Sequence, residues 1–167
     1  MIRDQNTRFR TGETGPHPGE VVAVCISTGG VPKYPVAEAE LTMDGLVGDG
    51  HAHDKHRRSD RAVSLQDIEL LEVLLAEGYQ VGPGIMGENI TVRGLNVQGL
   101  SVGDRLYFEN GPVLELTAPR KPCYVLDVIH PNLKDAVIGR CGYLARVVQT
   151  GQLRPEQGVT VARSVDA

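Results

Sequence analysis

Arg105-Leu106-Tyr107-Phe108-Glu109-Asn110-Gly111-Pro112-Val113-Leu114-Glu115-Leu116-Thr117 is the stretch that decides the fold. Residues 113–117 alternate apolar and polar, the period-two pattern of a half-buried strand. Asn110-Gly111 suits a two-residue hairpin, because both residues tolerate a left-handed backbone. It joins residues 105–109, a second strand, to the first, and Val102-Gly103-Asp104 is the turn that leads in. The same pattern continues outward. Residues 20–27 form a nearly continuous apolar run, a strand covered on both faces. Residues 36–41, 89–92 and 159–162 read as strands, residues 61–64 as a short buried one, and residues 143–149 as helix or strand. One helix is clear, residues 65–77. Ser64 is its expected cap, Asp67 completes a capping box, Ile68, Leu71, Leu74 and Leu75 share a face, and Gly78 closes it. Many short strands with few helices predict a mainly β fold, a β-rich α+β domain built as a barrel rather than a parallel sheet.

Composition narrows the function classes. A chain of 167 residues suits one domain with a full core. Aromatics are only 4% and Trp is absent, which argues against base-stacking platforms for single-stranded nucleic acid. The formal charge of -4 argues against a general basic footprint, so no nucleic-acid partner is expected and any anion site must be local. Three cysteines, Cys25, Cys123 and Cys141, match no disulfide framework and favour a reducing compartment. The first residues lack the apolar core of a signal peptide, and no apolar run is long enough to span a membrane. A soluble, cytoplasmic protein is the expectation. Residues 1–18, polar and broken by Gly and Pro, read as a mobile tail or extended arm. Residues 19–167 read as a single domain.

The chemistry centres on Ala118-Pro119-Arg120-Lys121-Pro122-Cys123-Tyr124. It follows the strand at 113–117 and precedes residues 124–129, whose apolar spacing is helical. Cys123 is therefore expected where a strand ends and a helix begins. Pro122 suits a first helical turn, where its missing N–H is not needed. Arg120 and Lys121 favour the thiolate form of a neighbouring thiol, and thiolate is both the nucleophile and the metal ligand. The competing reading is an inert buried cysteine.

Three further constellations carry polar chemistry. The loop Gly45-Leu46-Val47-Gly48-Asp49-Gly50-His51-Ala52-His53-Asp54-Lys55-His56-Arg57-Arg58 holds three histidines that could bind zinc. A solvated basic loop is the alternative, as is an anion site faced by His51, His56 and Arg61. In Gly87-Glu88-Asn89-Ile90-Thr91, Glu88 is a possible acid or base, and Asn89 has donors and an acceptor for a ligand edge. A turn whose own backbone they satisfy is the other reading. Gly139-Arg140-Cys141-Gly142-Tyr143-Leu144-Ala145-Arg146 pairs glycines with two arginines, which suits phosphate, but it lacks the Gly-Lys-Ser/Thr of a phosphate loop.

These blocks, with Asp-Arg-Ala-Val-Ser-Leu at 60–65 and Val-Gly-Asp-Arg-Leu at 102–106, occur in one order that resembles the MOSC domain, the C-terminal domain of molybdenum cofactor sulfurases. The resemblance covers about residues 21–161. It implies a closed, strongly bent β-barrel. It also implies a cysteine that carries sulfur as a persulfide or ligates the molybdenum of a molybdopterin cofactor. Cys123 matches that cysteine, and His51, Arg61, Asn89, Arg120 and Arg146 would line the cleft around it. Soft thiolate suits such a metal and arginines suit a phosphate. Larger members carry a pyridoxal-phosphate desulfurase part or an N-terminal β domain, and reductases of N-hydroxylated compounds use electron-transfer parts or partners; none of these is found in the chain. A sulfur carrier or molybdenum-cofactor-binding protein is the expectation, served by a cysteine desulfurase or by electron-transfer proteins and taking a small anionic ligand; the alternatives are a molybdenum-dependent reductase of N-hydroxylated compounds with separate electron-transfer partners, and a non-catalytic module that binds or delivers the cofactor.

Overall fold

The structure, a computed structural model, describes residues 9–11, 18–50 and 59–165. The strands, in chain order, are β1 (Phe9–Thr11), β2 (Gly19–Ile26), β3 (Tyr34–Val36), β4 (Ala39–Thr42), β5 (Gly45–Leu46), β6 (Val63–Asp67), β7 (Ile90–Arg93), β8 (Arg105–Phe108), β9 (Val113–Pro119), β10 (Tyr143–Gln149), β11 (Gly151–Leu153) and β12 (Gly158–Ser164). The helices are α1 (Ile68–Ala76), α2 (Leu126–Ile129) and α3 (Leu133–Ala136).

Seven strands close a barrel in the order β12-β8-β9-β10-β6-β7-β2, with β12 pairing back onto β2. The closing seam is short: Gly158 faces Glu20 and Val159 faces Gly19. Val21 N–H to the Gln157 carbonyl (2.8 Å) and Glu156 N–H to the Val21 carbonyl (2.7 Å) reinforce it. β1 lies on the outer edge of β12, β3 extends β2, and β11-β4-β5 form a small second sheet. Register shifts at Val21/Ala23, Leu144/Ala145 and Val147/Gln149 bend the wall, as bulges do. The interior is filled by aliphatic side chains such as Leu41, Leu65, Ile90, Leu106, Leu114 and Leu116, all buried. Each contributes roughly 2 kcal/mol by leaving water. A second apolar cluster outside the barrel packs Leu71 and Leu74 of α1 with Met86, Leu126, Leu133 and Cys141.

The decisive hairpin forms as expected. Asn110 and Gly111 both take positive φ (65° and 123°), and β8 pairs antiparallel with β9. Residues 143–149 resolve as strand β10. Three expectations change. The predicted strand at 36–41 is two strands, β3 and β4, which belong to different sheets. The predicted helix at 65–77 starts only at Ile68, and Ser64 does not cap it. Val63–Asp67 is instead a fully buried strand, antiparallel to β10 and parallel to β7. A parallel pair needs a crossover, and α1 supplies it. Leu75 faces solvent at 48% exposure, so the buried face of α1 is Ile68, Leu71 and Leu74. Asp67 accepts from the N–H groups of Val97 (2.7 Å) and Gln98 (2.9 Å) rather than completing a capping box. Finally, the helix expected over residues 124–129 begins two residues late, at Leu126. Among the described residues no helix is long and apolar enough to cross a membrane.

Candidate functional site

One mouth of the barrel gathers the ends of β2 and β9 and the starts of β6, β7 and β10, because Val24 pairs Ile90, Leu65 pairs Ile90 and Tyr143, and Tyr143 pairs Pro119. A cleft of about 570 Å³ opens there. Among the described residues its charged lining is Lys33, Arg61, Arg120 and Lys121, with no carboxylate, and Cys123 stands on its wall. A chain of net charge -4 thus concentrates cations at one concave place. Of the expected site residues, Cys123, Arg120, Lys121, Arg61 and Asn89 all line this cleft. His51 and His56, with His53, lie outside the described residues.

Asn89 is buried and committed. Its side-chain oxygen accepts from the Ser64 N–H (3.1 Å), and its amide donates to the Cys25 carbonyl (3.2 Å) and to Asp49 Oδ2 (3.0 Å). Both amide donors are spent. Asn89 therefore ties β2, β6 and β7 together at the mouth rather than presenting a free edge to a ligand, and the backbone-satisfying reading of this residue is the one that holds. Asp49 extends the network. It accepts from the Ser27 N–H (3.0 Å) and from Lys33 Nζ at both oxygens (2.8 and 2.7 Å). The pair is nearly dry, with side-chain exposures of 11% for Lys33 and 2% for Asp49. A buried pair holds only when further hydrogen bonds satisfy it, and those from Ser27 and Asn89 do so. Sequence reasoning missed both residues. Asp49 sat inside a recognised block without a role, and no local signal marks Lys33.

Beneath the cleft lies Glu88, fully buried. Its Oε1 accepts from the Gly84 N–H at 2.6 Å, while Oε2 has no partner. Burial pushes its carboxyl up from the ordinary value, against the pull of nearby backbone N–H groups and Arg120. Arg120 Nη2 donates to the Met86 carbonyl (2.5 Å), and Nη1 is buried without a partner. Gly87 makes room for this side chain: a Cβ there would overlap Val31 and approach Arg120 Nη2 at 3.1 Å.

The three thiols divide sharply. All are free, Cys123 is exposed, and Cys25 and Cys141 are buried. Burial, aided by Glu88, pushes Cys25 up to about 11. Burial also raises Cys141, against the field of Arg120. Cys123 follows the end of β9, and its carbonyl accepts from the Leu126 N–H at the start of α2 (3.0 Å). That is the strand-to-helix position its sequence context predicts.

Arg146 does not join the cleft lining. On β10 its neighbours Ala145 and Val147 point into the barrel, so Arg146 points out and pairs with Glu115 (2.8 Å), which Arg105 also holds (2.8 Å). The candidate phosphate segment at 139–146 is likewise structural. Arg140 forms two 2.7 Å bonds to Glu77, and a side chain on Gly142 (φ 83°) would overlap the Leu65 carbonyl. No cluster of three or more metal-ligating side chains occurs among the described residues.

Comparisons with known proteins bear on the family and the fold. Residues 50–160 match the model of the MOSC domain. A protein named "Reductase" from Gibberella moniliformis is 29% identical over 119 residues, 65% of this chain and 21% of that protein. YflK of Bacillus subtilis, described as uncharacterized, is 30% identical over 135 residues, 75% of this chain and 60% of YflK. The chain thus spans about a fifth and three fifths of these curated relatives. Among solved structures, the YuaD protein of Bacillus subtilis superposes with a TM-score of 0.75 at 18% identity, covering 93% of this chain and 98% of YuaD. YiiM of Geobacillus stearothermophilus does so at 0.71 and 21%, covering 89% and 80%. The closed barrel, the thiol on a cationic cleft at its mouth, and a family match over most of the chain converge on one conclusion: the chain belongs to the MOSC domain family.

Proposed function

We propose that the cleft is a sulfur-transfer and cofactor-binding site with Cys123 as its reactive thiol. The observation that carries this is the placement of an exposed thiol on a cleft whose described lining holds Arg61, Arg120 and Lys121, besides Lys33 paired with Asp49, while the other two thiols are buried and pushed upward. In the carrier role, Cys123 thiolate attacks the terminal sulfur of a donor persulfide, such as that of a cysteine desulfurase. A bond forms between Cys123 Sγ and that sulfur, the donor's S–S bond breaks, and the donor leaves as thiolate. No external oxidant is needed. Lys121, Arg61 and Arg120 hold the anionic acceptor.

MOSC domains are associated with the molybdenum cofactor, and the residues present fit that group. Arg120 Nη1 is a buried donor lacking a partner beside the cleft, suited to an anionic oxygen. Cys123 is the soft donor among the lining residues. Cys123 would ligate the metal, and Arg61, Arg120 and Lys121 would hold the phosphate of the pterin. The bound group would supply two-electron redox chemistry. A relative named as a reductase favours this second reading, in which separate electron-transfer proteins serve reduction of N-hydroxylated compounds.

Two measurements test the proposal: elemental analysis of protein from a molybdenum-replete host, and transfer of labelled sulfur from a desulfurase. Wild type is expected to acquire labelled sulfur or molybdenum, and Cys123→Ser, which is nearly isosteric, to acquire neither while staying folded. Equal loading of the two proteins would remove Cys123 from the site.

A further inference from the structure

Beside the cleft lie two buried ionisable groups, each with an unsatisfied atom and each within the other's electrostatic reach. Glu88 Oε2 and Arg120 Nη1 are both buried and both lack a partner. Leaving such groups unpaired costs free energy that a structural pair would recover by closing. The guanidinium is instead held by the Met86 carbonyl, on the turn that Glu88 itself organises through the Gly84 N–H. Arg120 also lines the cleft, so it stands between an internal carboxylate and whatever anion the cleft receives.

We propose that Glu88 is a positioning residue for the anion site: as a carboxylate it draws the Arg120 guanidinium to the cleft floor, and when it takes a proton it leaves that charge to the ligand. This rests on the reading of the cleft as an anion site. Among the described residues, the groups that act on Glu88 are few. Arg120 reaches it from the end of β9, Cys25 from β2, and Cys141 from the segment before β10, with Lys33 acting on Cys25. Both thiols are pushed upward by burial and stay neutral near neutral pH, so Arg120 is the charge to which Glu88 answers. Burial also pushes the Glu88 carboxyl up from its ordinary value. Linkage then requires reciprocity: a ligand anion on Arg120 favours the protonated Glu88, and protonated Glu88 favours the anion.

Sulfate is the probe, because its charge is constant across the range tested, about pH 5 to about pH 8. Calorimetric titration of wild type and Glu88→Gln is compared at the two ends. Wild type should bind about tenfold more tightly at the lower pH than at the higher, in the range of coupled sites. Glu88→Gln should keep the tighter affinity at both, apart from any contribution of His51, His53 and His56 that both proteins share. As a second measurement on wild type alone, carbon NMR of the Glu88 carboxyl should show its titration move to higher pH when sulfate is added. Identical pH dependence in the two proteins, with an unmoved Glu88 titration, overturns the inference and leaves the anion site standing. No sulfate binding by either protein at either pH overturns the anion site and the inference together.

Discussion

Replacing Asn89 by Ala tests whether this residue builds the site or reads its ligand. The side chain makes two neutral hydrogen bonds, to the Ser64 N–H and the Cys25 carbonyl, and one to the Asp49 carboxylate. A neutral bond is worth about 1 kcal/mol net and a charged one about 2, so the expected loss is about 4 kcal/mol. For a chain of this size that lowers the thermal midpoint by roughly 8–16 °C. Urea unfolding, with the slope checked for constancy, gives the free energy directly. Asn89→Asp sharpens the test. It keeps the oxygen facing Ser64 but sets a second carboxylate 3.0 Å from Asp49 Oδ2. One of the two must then hold a proton in the folded state that the unfolded chain would release, so its stability deficit should grow as pH rises. A loss under about 1 kcal/mol in Asn89→Ala, with ligand affinity reduced instead, would refute the keystone role and restore the ligand-reading one.

Three further outcomes follow from the same structure. Iodoacetamide at about pH 8 should label Cys123 first, since Cys25, pushed up to about 11, is thiolate in only about one molecule in a thousand; peptide mass spectrometry reads the order, and faster labelling of Cys25 or Cys141 contradicts it. Asp67 is raised by burial despite its bonds to Val97 and Gln98, so the folded state binds the extra proton; its contribution to stability is full below the unfolded value and falls as pH rises through the raised one. Asp67→Asn should flatten that part of the stability–pH curve, whatever it costs in absolute terms, and an unchanged slope counts against the assignment. Gly142→Ala should cost more than about 3 kcal/mol or prevent folding, because its methyl group would overlap the Leu65 carbonyl at a positive φ; a midpoint near wild type would show that the β6–β10 approach is looser than described.

The hairpin and the long apolar strand β2 were legible because their signals are local: a turn dipeptide and a run of side chains with one period. The start of α1 was not. Leu65 and Ile68 fit a helical spacing by coincidence, yet Leu65 belongs to a strand paired on both sides. Tertiary pairing overrode the local pattern. Cys123, Arg120 and Lys121 could be found together because they adjoin in sequence. Lys33 and Asp49 could not, since β3, β4 and β5 lie between them in the chain and their purpose depends on Asn89, forty positions from Asp49. Arg146 illustrates a different failure. A block match places a residue on a strand, but the two-residue period decides which side of the wall it faces, and one position separates the barrel interior at Ala145 from its outer surface.

The short seam between β12 and β2 has a consequence for how the barrel assembles and breathes. β8, β9 and β10 neighbour one another in the ladder and follow in sequence, so their pairing needs little chain closure. The seam joins Gly158 to Glu20, nearly the full length of the barrel strands apart, and its entropy of closure is large. It should form late, after the meander has condensed. Once formed, it lies at the start of β2, whereas the cleft lies past the far end of that strand at Ile26. Transient opening of the seam therefore exposes its amides to hydrogen exchange at one end of the barrel, while the network around Asp49 and Asn89 keeps the other end shut.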